Sequence, residues 1–297
     1  MAPKFKHRLE YGAFQLIYQS TKLLSRQALL AVGRGIGTFV WRVVRFRRDV
    51  ILENLRCAFG DEKDEAWIHA TALDFYRNLG MTLVEFLASG HRSTEDLREN
   101  VVIEGLEHVT GLVDSGRGAL VISGHLGNFE LMLPRSAAAG YRVSAIVKRQ
   151  SNQLIDDFYN GIRAREGVGI IHTGGSFPHI LAAIERGEMI GILGDQDAGR
   201  KGQFVEFLGR PASVNVGPAT LAVKAGCPLL MVFVYRQPDG SHVMKIEPAI
   251  EIDPAWDRDT AVRRLTEIHT ARLEEAVREA PAMYYWVHRR WKTRPPE

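Results

Sequence analysis

Cysteine is scarce: the 297 residues hold two, Cys57 and Cys227. They lie far apart without a Cys-x-x-Cys spacing, which excludes a disulfide framework and a cysteine-based zinc site and fits a reducing compartment. Buried packing is the reading for both. No run of 18 uninterrupted apolar residues occurs, so no segment reads as a spanning helix. The amino terminus lacks the small-residue cleavage site of a signal peptide, and arginines break its apolar stretches. Internal repeats and low-complexity tracts are absent too. What remains is an ordinary globular composition, 45% apolar and 25% charged, long enough to bury a sizeable core.

Charge is distributed unevenly. The net +3 conceals a segment, residues 1–50, in which three Lys and seven Arg face only Glu10 and Asp49; its +8 leaves −5 on the rest. A basic amino terminus on an acidic body is attracted to anionic surfaces. Lys22, Arg26, Arg34 and Arg42 recur at intervals of four or eight, roughly one helical face, with Leu, Ile, Val, Phe and Trp on the other. That is the pattern of a helix lying in a bilayer interface, its arginines reaching phosphate headgroups. An amphipathic helix packed on the protein's own core, with a solvated basic face, has the same pattern.

Residues 12–90 read as helical throughout, with Gly90 as a stop. The rhythm then changes. Short apolar runs, "GALVISG", "RVSAIV", "GVGIIHT", "EMIGILGD" and "PLLMVFVY", alternate with helical stretches, which predicts parallel strands joined by right-handed crossovers and covered on both faces. "VYRQPDGSHVMKIEP" reads as a hairpin turning at Asp239-Gly240, and a polar helix spans about 258–279. The expected fold is α/β, a mostly parallel sheet with flanking helices behind a helical, basic, amphipathic amino-terminal segment. The expected division is 1–95 and 96–297.

"ALVISGHLGNFE" places His125 where a buried strand ends, the edge at which such sheets collect functional groups. The glycine spacing is not that of a phosphate loop, Ser123 lacks the flanks of a nucleophile elbow, and no second histidine stands at ligand spacing. A general base remains: neutral imidazole can take a proton from a hydroxyl if a carboxylate fixes its tautomer. Glu130, five residues on, reaches it only if His125 lies on the turn before the helix. A capping histidine with a solvated glutamate fits the spacing equally.

Further motifs decide between these. His-x-x-x-x-Glu at 125–130, "DQDAG" followed by "FVEFLGRPA", and the closing "WVHRRWKTRP" together resemble the bacterial lipid A biosynthesis acyltransferases, the lauroyl/myristoyl transferase family. The resemblance runs over nearly the whole chain. It implies a glycerolipid acyltransferase-like fold and an enzyme that moves a fatty acyl chain from acyl carrier protein or coenzyme A to a glycolipid hydroxyl. It also implies a place on the cytoplasmic face of the inner membrane, attached peripherally or monotopically. His125 carries over as the base and Glu130 as its motif partner. Asp195 and Asp197 match the family's paired aspartates, as substrate-binding residues or with one of them orienting the histidine. Arg149 in "VKRQSN" matches the basic second motif and suits a phosphate; Arg163 and Arg165 are the alternative basic candidates. Glu206 is a further carboxylate near the aspartates. A thioester is already activated, so no metal, nucleotide or other cofactor is called for, and no nucleic-acid recognition motif accompanies the basic segment. "HRRWKTRP" reads as too basic for a core, with Trp286 and Trp291 either anchoring at an interface or packing under the last helix.

Overall fold

The computed structural model describes residues 5–173 and 177–296. Four helices open the chain: α1 Phe5–Thr21, α2 Arg26–Phe39, α3 Arg48–Phe59 and α4 Glu65–Ala88. They do not form the uninterrupted run that the periodicity predicts. Lys22–Leu24 form a turn, and Ser25 caps α2 by accepting from the Ala28 N–H. After α2 one turn of π-helix, Val40–Val44, runs into Arg45 and Arg47, both left-handed with φ near 55°. Asp64 then caps α4 through the Trp67 N–H. The four basic residues predicted to share a face therefore belong to three pieces: Lys22 in the break, Arg26 and Arg34 on α2, Arg42 on the π-turn.

Helix α2 packs on α4 through glycine. A Cβ on Gly33 would stand 2.6 Å from Met81 Cα, and Gly37 and Gly80 make similar backbone-to-backbone approaches. Only residues without side chains let two helices come so close.

Helix α5, Thr94–Asn100, leads into the sheet. Its strands are β1 Val101–Glu104, β2 Ala119–Ser123, β3 Val143–Val147, β4 Val168–His172 and β5 Met189–Leu193, with β8 Leu229–Arg236 and β9 His242–Ile246. A separate antiparallel pair, β6 Gln203–Phe207 and β7 Arg210–Val214, lies between them in sequence. The seven-stranded order is β1-β9-β8-β2-β5-β3-β4, parallel at every pairing except the β8–β9 hairpin, where Gly240 takes φ 86° in the turn. The architecture is thus the expected mixed α/β fold.

Side chains alternate across the sheet with period two. Leu120, Ile122, Leu229, Met231 and Phe233 enter one core, shared with α11 (Arg258–Glu279) and with Ile51, Leu55, Phe59 and Phe75 of the opening helices. Val121, Leu230, Val232 and Val234 enter the other, under α7, Met132–Ala138. Burial on both faces explains the near-continuous apolar strands.

Part of the carboxy-terminal segment is core. Trp286 is fully buried, its Nε1 donates to Pro281 O at 2.7 Å, and its ring meets Phe59 and Tyr284. Arg290 is buried as well: it donates to Ser213 O at 2.8 Å and lies over the Phe207 ring. The expectation that this stretch is too basic for a core fails at Arg290, whose guanidinium finds a carbonyl and an aromatic face, and holds at Arg289, Lys292 and Arg294, which are exposed.

Candidate active site

Strands β2 and β5 are parallel neighbours in register, Ser123 opposite Leu193. Each ends in glycine and then a polar residue, so His125 and Asp195 emerge side by side. His125 Nδ1 lies 2.7 Å from Asp195 Oδ1, and the His125 backbone N–H donates to Oδ2 at 2.9 Å. Because a carboxylate only accepts, Nδ1 carries the proton and Nε2 is left with its lone pair free. Asp195 is 4% exposed, yet the ion pair and these hydrogen bonds overcome the penalty of burial and hold its carboxyl below the usual range. At His125 burial opposes the imidazolium, but the charge and hydrogen bond of Asp195, with the charge of Glu130, prevail and raise the pKa above its ordinary value.

The histidine loop is clamped by its neighbours. Gly127 takes φ 60° and passes so close to Val234 O that any Cβ would collide with it. Its N–H donates to Met283 O at 2.9 Å, Asn128 N–H to Val234 O at 3.1 Å, and Tyr285 N–H to His125 O at 2.9 Å. Phe129 lies edge-on to the imidazole, 4.9 Å between centroids.

Beside this loop an apolar cleft encloses about 790 Å³, part of it open to solvent. Phe129 and Glu130 line it, and Leu131–Pro134 cover strands β3 and β5 along it. Its floor is low because Ala145 and Gly191 stand opposite each other across those strands; a Cβ on Gly191 would meet Leu133 Cδ1 at 2.9 Å.

A histidine base with its orienting carboxylate, in contact with Phe129 of an apolar cleft, suits transfer of an apolar group to a hydroxyl. The family model for the bacterial lipid A biosynthesis acyltransferases matches residues 2–293. The chain belongs to that family. It is 29% identical over 271 residues to the lipid A biosynthesis palmitoleoyltransferase of Escherichia coli, covering 90% of this chain and 86% of the relative. It is 24% identical over 290 residues to the lauroyltransferase of the same organism, covering 97% and 91%. A phosphatidylinositol mannoside acyltransferase of Mycobacterium tuberculosis is 24% identical over 195 residues, 64% of this chain and 60% of the relative. The resemblance that the motifs carry is borne out, and the protein is an acyltransferase.

The acyltransferase motifs separate in space. Glu130 sits on a single 3-10 turn, Phe129–Leu131, ahead of α7 and turns away to pair with Arg163 of α8 (Gln153–Arg165) at 3.2 Å. Among the described residues no hydrogen bond joins it to His125; it reaches the imidazole through its charge. Asp197 Oδ2 accepts from Thr293 Oγ1 at 2.9 Å and from the Gly199 N–H at 3.1 Å, with Lys292 Nζ 3.5 Å away. This second aspartate thereby ties the carboxy-terminal motif to the active-site edge. Arg149 is exposed beyond β3, Arg165 is exposed on α8, and Glu206 is exposed on β6.

Sequence reasoning passed over Glu85, Asn128, Arg236 and Tyr285. Glu85 of α4, 5% exposed, pairs with Arg236 of β8 at 2.6 Å and accepts from Asn128 Nδ2 at 2.8 Å. Burial opposes its charge, but Arg236 and its hydrogen bond hold the pKa below normal. The available signal was a lone carboxylate within the apolar "LVEFLAS".

Proposed function

We propose that the enzyme transfers a fatty acyl chain from an acyl thioester, on acyl carrier protein or coenzyme A, to a hydroxyl of a lipid A precursor. The observation that carries this reading is the His125–Asp195 pair, whose imidazole meets Phe129 at the edge of the apolar cleft. The acyl chain lies along Ala145 and Gly191, which sets its thioester carbonyl near Phe129 and His125. His125 Nε2 takes the proton of the acceptor hydroxyl as that oxygen attacks the carbonyl carbon. Asp195 fixes the tautomer and stabilises the imidazolium through Nδ1–H. Collapse of the tetrahedral adduct breaks the carbon–sulfur bond, and the imidazolium returns its proton to the departing thiolate. Arg149 is assigned to a phosphate of donor or acceptor, a guanidinium offering it two parallel hydrogen bonds.

The enzyme works at the cytoplasmic face of the inner membrane, held peripherally by residues 1–50. In support, Leu16, Ile17, Leu23, Phe39, Val43 and Phe46 of this basic segment are exposed, and among the described residues no helix is long and apolar enough to cross a membrane. The similarity to a phosphatidylinositol mannoside acyltransferase gives a second acceptor class a place in the test. Purified enzyme is given radiolabelled acyl carrier protein or acyl-CoA, with a lipid A precursor or a phosphatidylinositol mannoside as acceptor. Label is expected in the lipid A precursor. Label entering only the mannoside would replace the acceptor, and label entering neither would overturn the reading.

A further inference from the structure

A second cleft opens where the turn between α1 and α2 meets the end of α4, α5 and β9, enclosing about 930 Å³, part of it open to solvent. Lys22, Arg26 and Arg92 converge on it. Both of its carboxylates are otherwise engaged: Glu85 by Arg236 and Asn128, and Asp96 by the Ser93 N–H at 3.0 Å in the capping box of α5. The arginines contact only backbone carbonyls among the described residues, Arg26 at Gly240 O and Arg92 at Glu85 O, 3.3 Å. Lys22 is exposed and, among the described residues, makes no side-chain hydrogen bond. Burial depresses the Arg92 pKa and Arg26 adds like-charge repulsion, against the opposing charges of Glu85, Glu166 and Asp96. Three cations thus share one concavity, an arrangement that favours an anion.

The mouth identifies the anion. Leu24 lines the mouth on the same turn as Lys22, Leu23 beside it in sequence is 86% exposed, and Leu16 and Ile17 are exposed earlier on α1. A free anion has no use for an apolar rim; a lipid phosphate joined to acyl chains does. We infer that this cleft binds the phosphate headgroup of a membrane lipid, gripped by Lys22, Arg26 and Arg92 with its acyl chains against Leu23 and Leu24. Two guanidinia and an ammonium match a phosphate's oxygens, each guanidinium offering paired donors. This site adjoins the acyl cleft, with which it shares Glu85 and Leu131, and rests on the membrane reading only for the source of its phosphate.

Soluble dioctanoyl phosphatidic acid tests it by calorimetry, without a membrane surface. Saturable one-to-one binding is expected, weakened about tenfold or more by Lys22→Ala with Arg26→Ala, the loss of about 1.4 kcal/mol or more. The charge-matched pair Arg34→Ala with Arg42→Ala, outside the cleft, should leave it unchanged. Lys22→Glu alone, on an exposed side chain, should weaken it as well, which keeps the test independent of folding. Inorganic phosphate should bind at least tenfold more weakly; equal affinity for it would overturn the lipid source. Absence of saturable binding, or equal loss in both pairs, would overturn the site. Flotation of the same proteins on anionic vesicles separates the two readings, since flotation that persists without short-chain binding removes the site and leaves membrane attachment standing.

Discussion

His125 serves as a base only while Nε2 is unprotonated, so turnover should rise with pH through its pKa. Asp195 and Glu130 hold that pKa above the ordinary value against the effect of burial, which places the acid limb of kcat/KM above about 6.5. Asp195→Asn removes the dominant charge and leaves the burial. The acid limb should then move to lower pH, while the maximal rate falls on the order of 10³–10⁴-fold through loss of the correct tautomer. Glu130→Gln, which acts at a distance, should move the limb in the same direction but less. A pH–rate series on the three proteins checks this; an unmoved limb in Asp195→Asn would contradict the pairing. His125 and Asp195 were each legible as strand-end residues because an apolar run stops just before them. Their partnership was legible only as one alternative for either aspartate, since 70 positions separate His125 from Asp195 and the adjacency of β2 and β5 brings them together. Glu130 misleads for the opposite reason: nearness in sequence suggests a contact that a 3-10 turn directs toward Arg163 instead.

At the scale of elements, Glu85 and Arg236, both buried, join α4 to the sheet. Removing one partner leaves the other charged and buried, which costs about 3–5 kcal/mol. Glu85→Leu should therefore lower unfolding free energy by that order in urea titrations, and adding Arg236→Met should recover most of it. Full additivity of the two losses would mean that the charges are not coupled. The lone carboxylate at 85 hints at a buried charge, but nothing in a single sequence pairs it with Arg236, which ends an apolar strand ahead of a turn. Helix α11, by contrast, was legible nearly to the residue: its polar, charged run is bounded by the Asp257 cap and by Pro281. The β6–β7 hairpin was not read as strands. Its Phe204, Val205 and Glu206 are only partly buried or exposed, and the run lacks the unbroken apolar character that marks the central strands.

For the whole molecule, charge and apolar exposure coincide in residues 1–50. Attraction of the +8 segment to anionic lipid weakens as the Debye length falls from ~10 Å at 0.1 M to ~3 Å at 1 M salt. The proposed burial of the exposed Leu23, Phe39 and Phe46 in lipid would not weaken in that way. Flotation on anionic vesicles should thus fall only partly across a salt series, and nearly completely when Arg26, Arg34 and Arg42 are replaced by Glu, each basic group being worth ~1 kcal/mol at such a surface. Full retention of every variant at 1 M salt, together with resistance to alkaline carbonate, would contradict peripheral attachment. The account as a whole turns on the chemistry of one side chain. Single-turnover acyl transfer by His125→Ala, in a variant whose melting temperature matches the parent, tests it most directly. The transfer rate should fall ~10²–10⁴-fold, and a rate near that of the parent would remove His125 from the reaction.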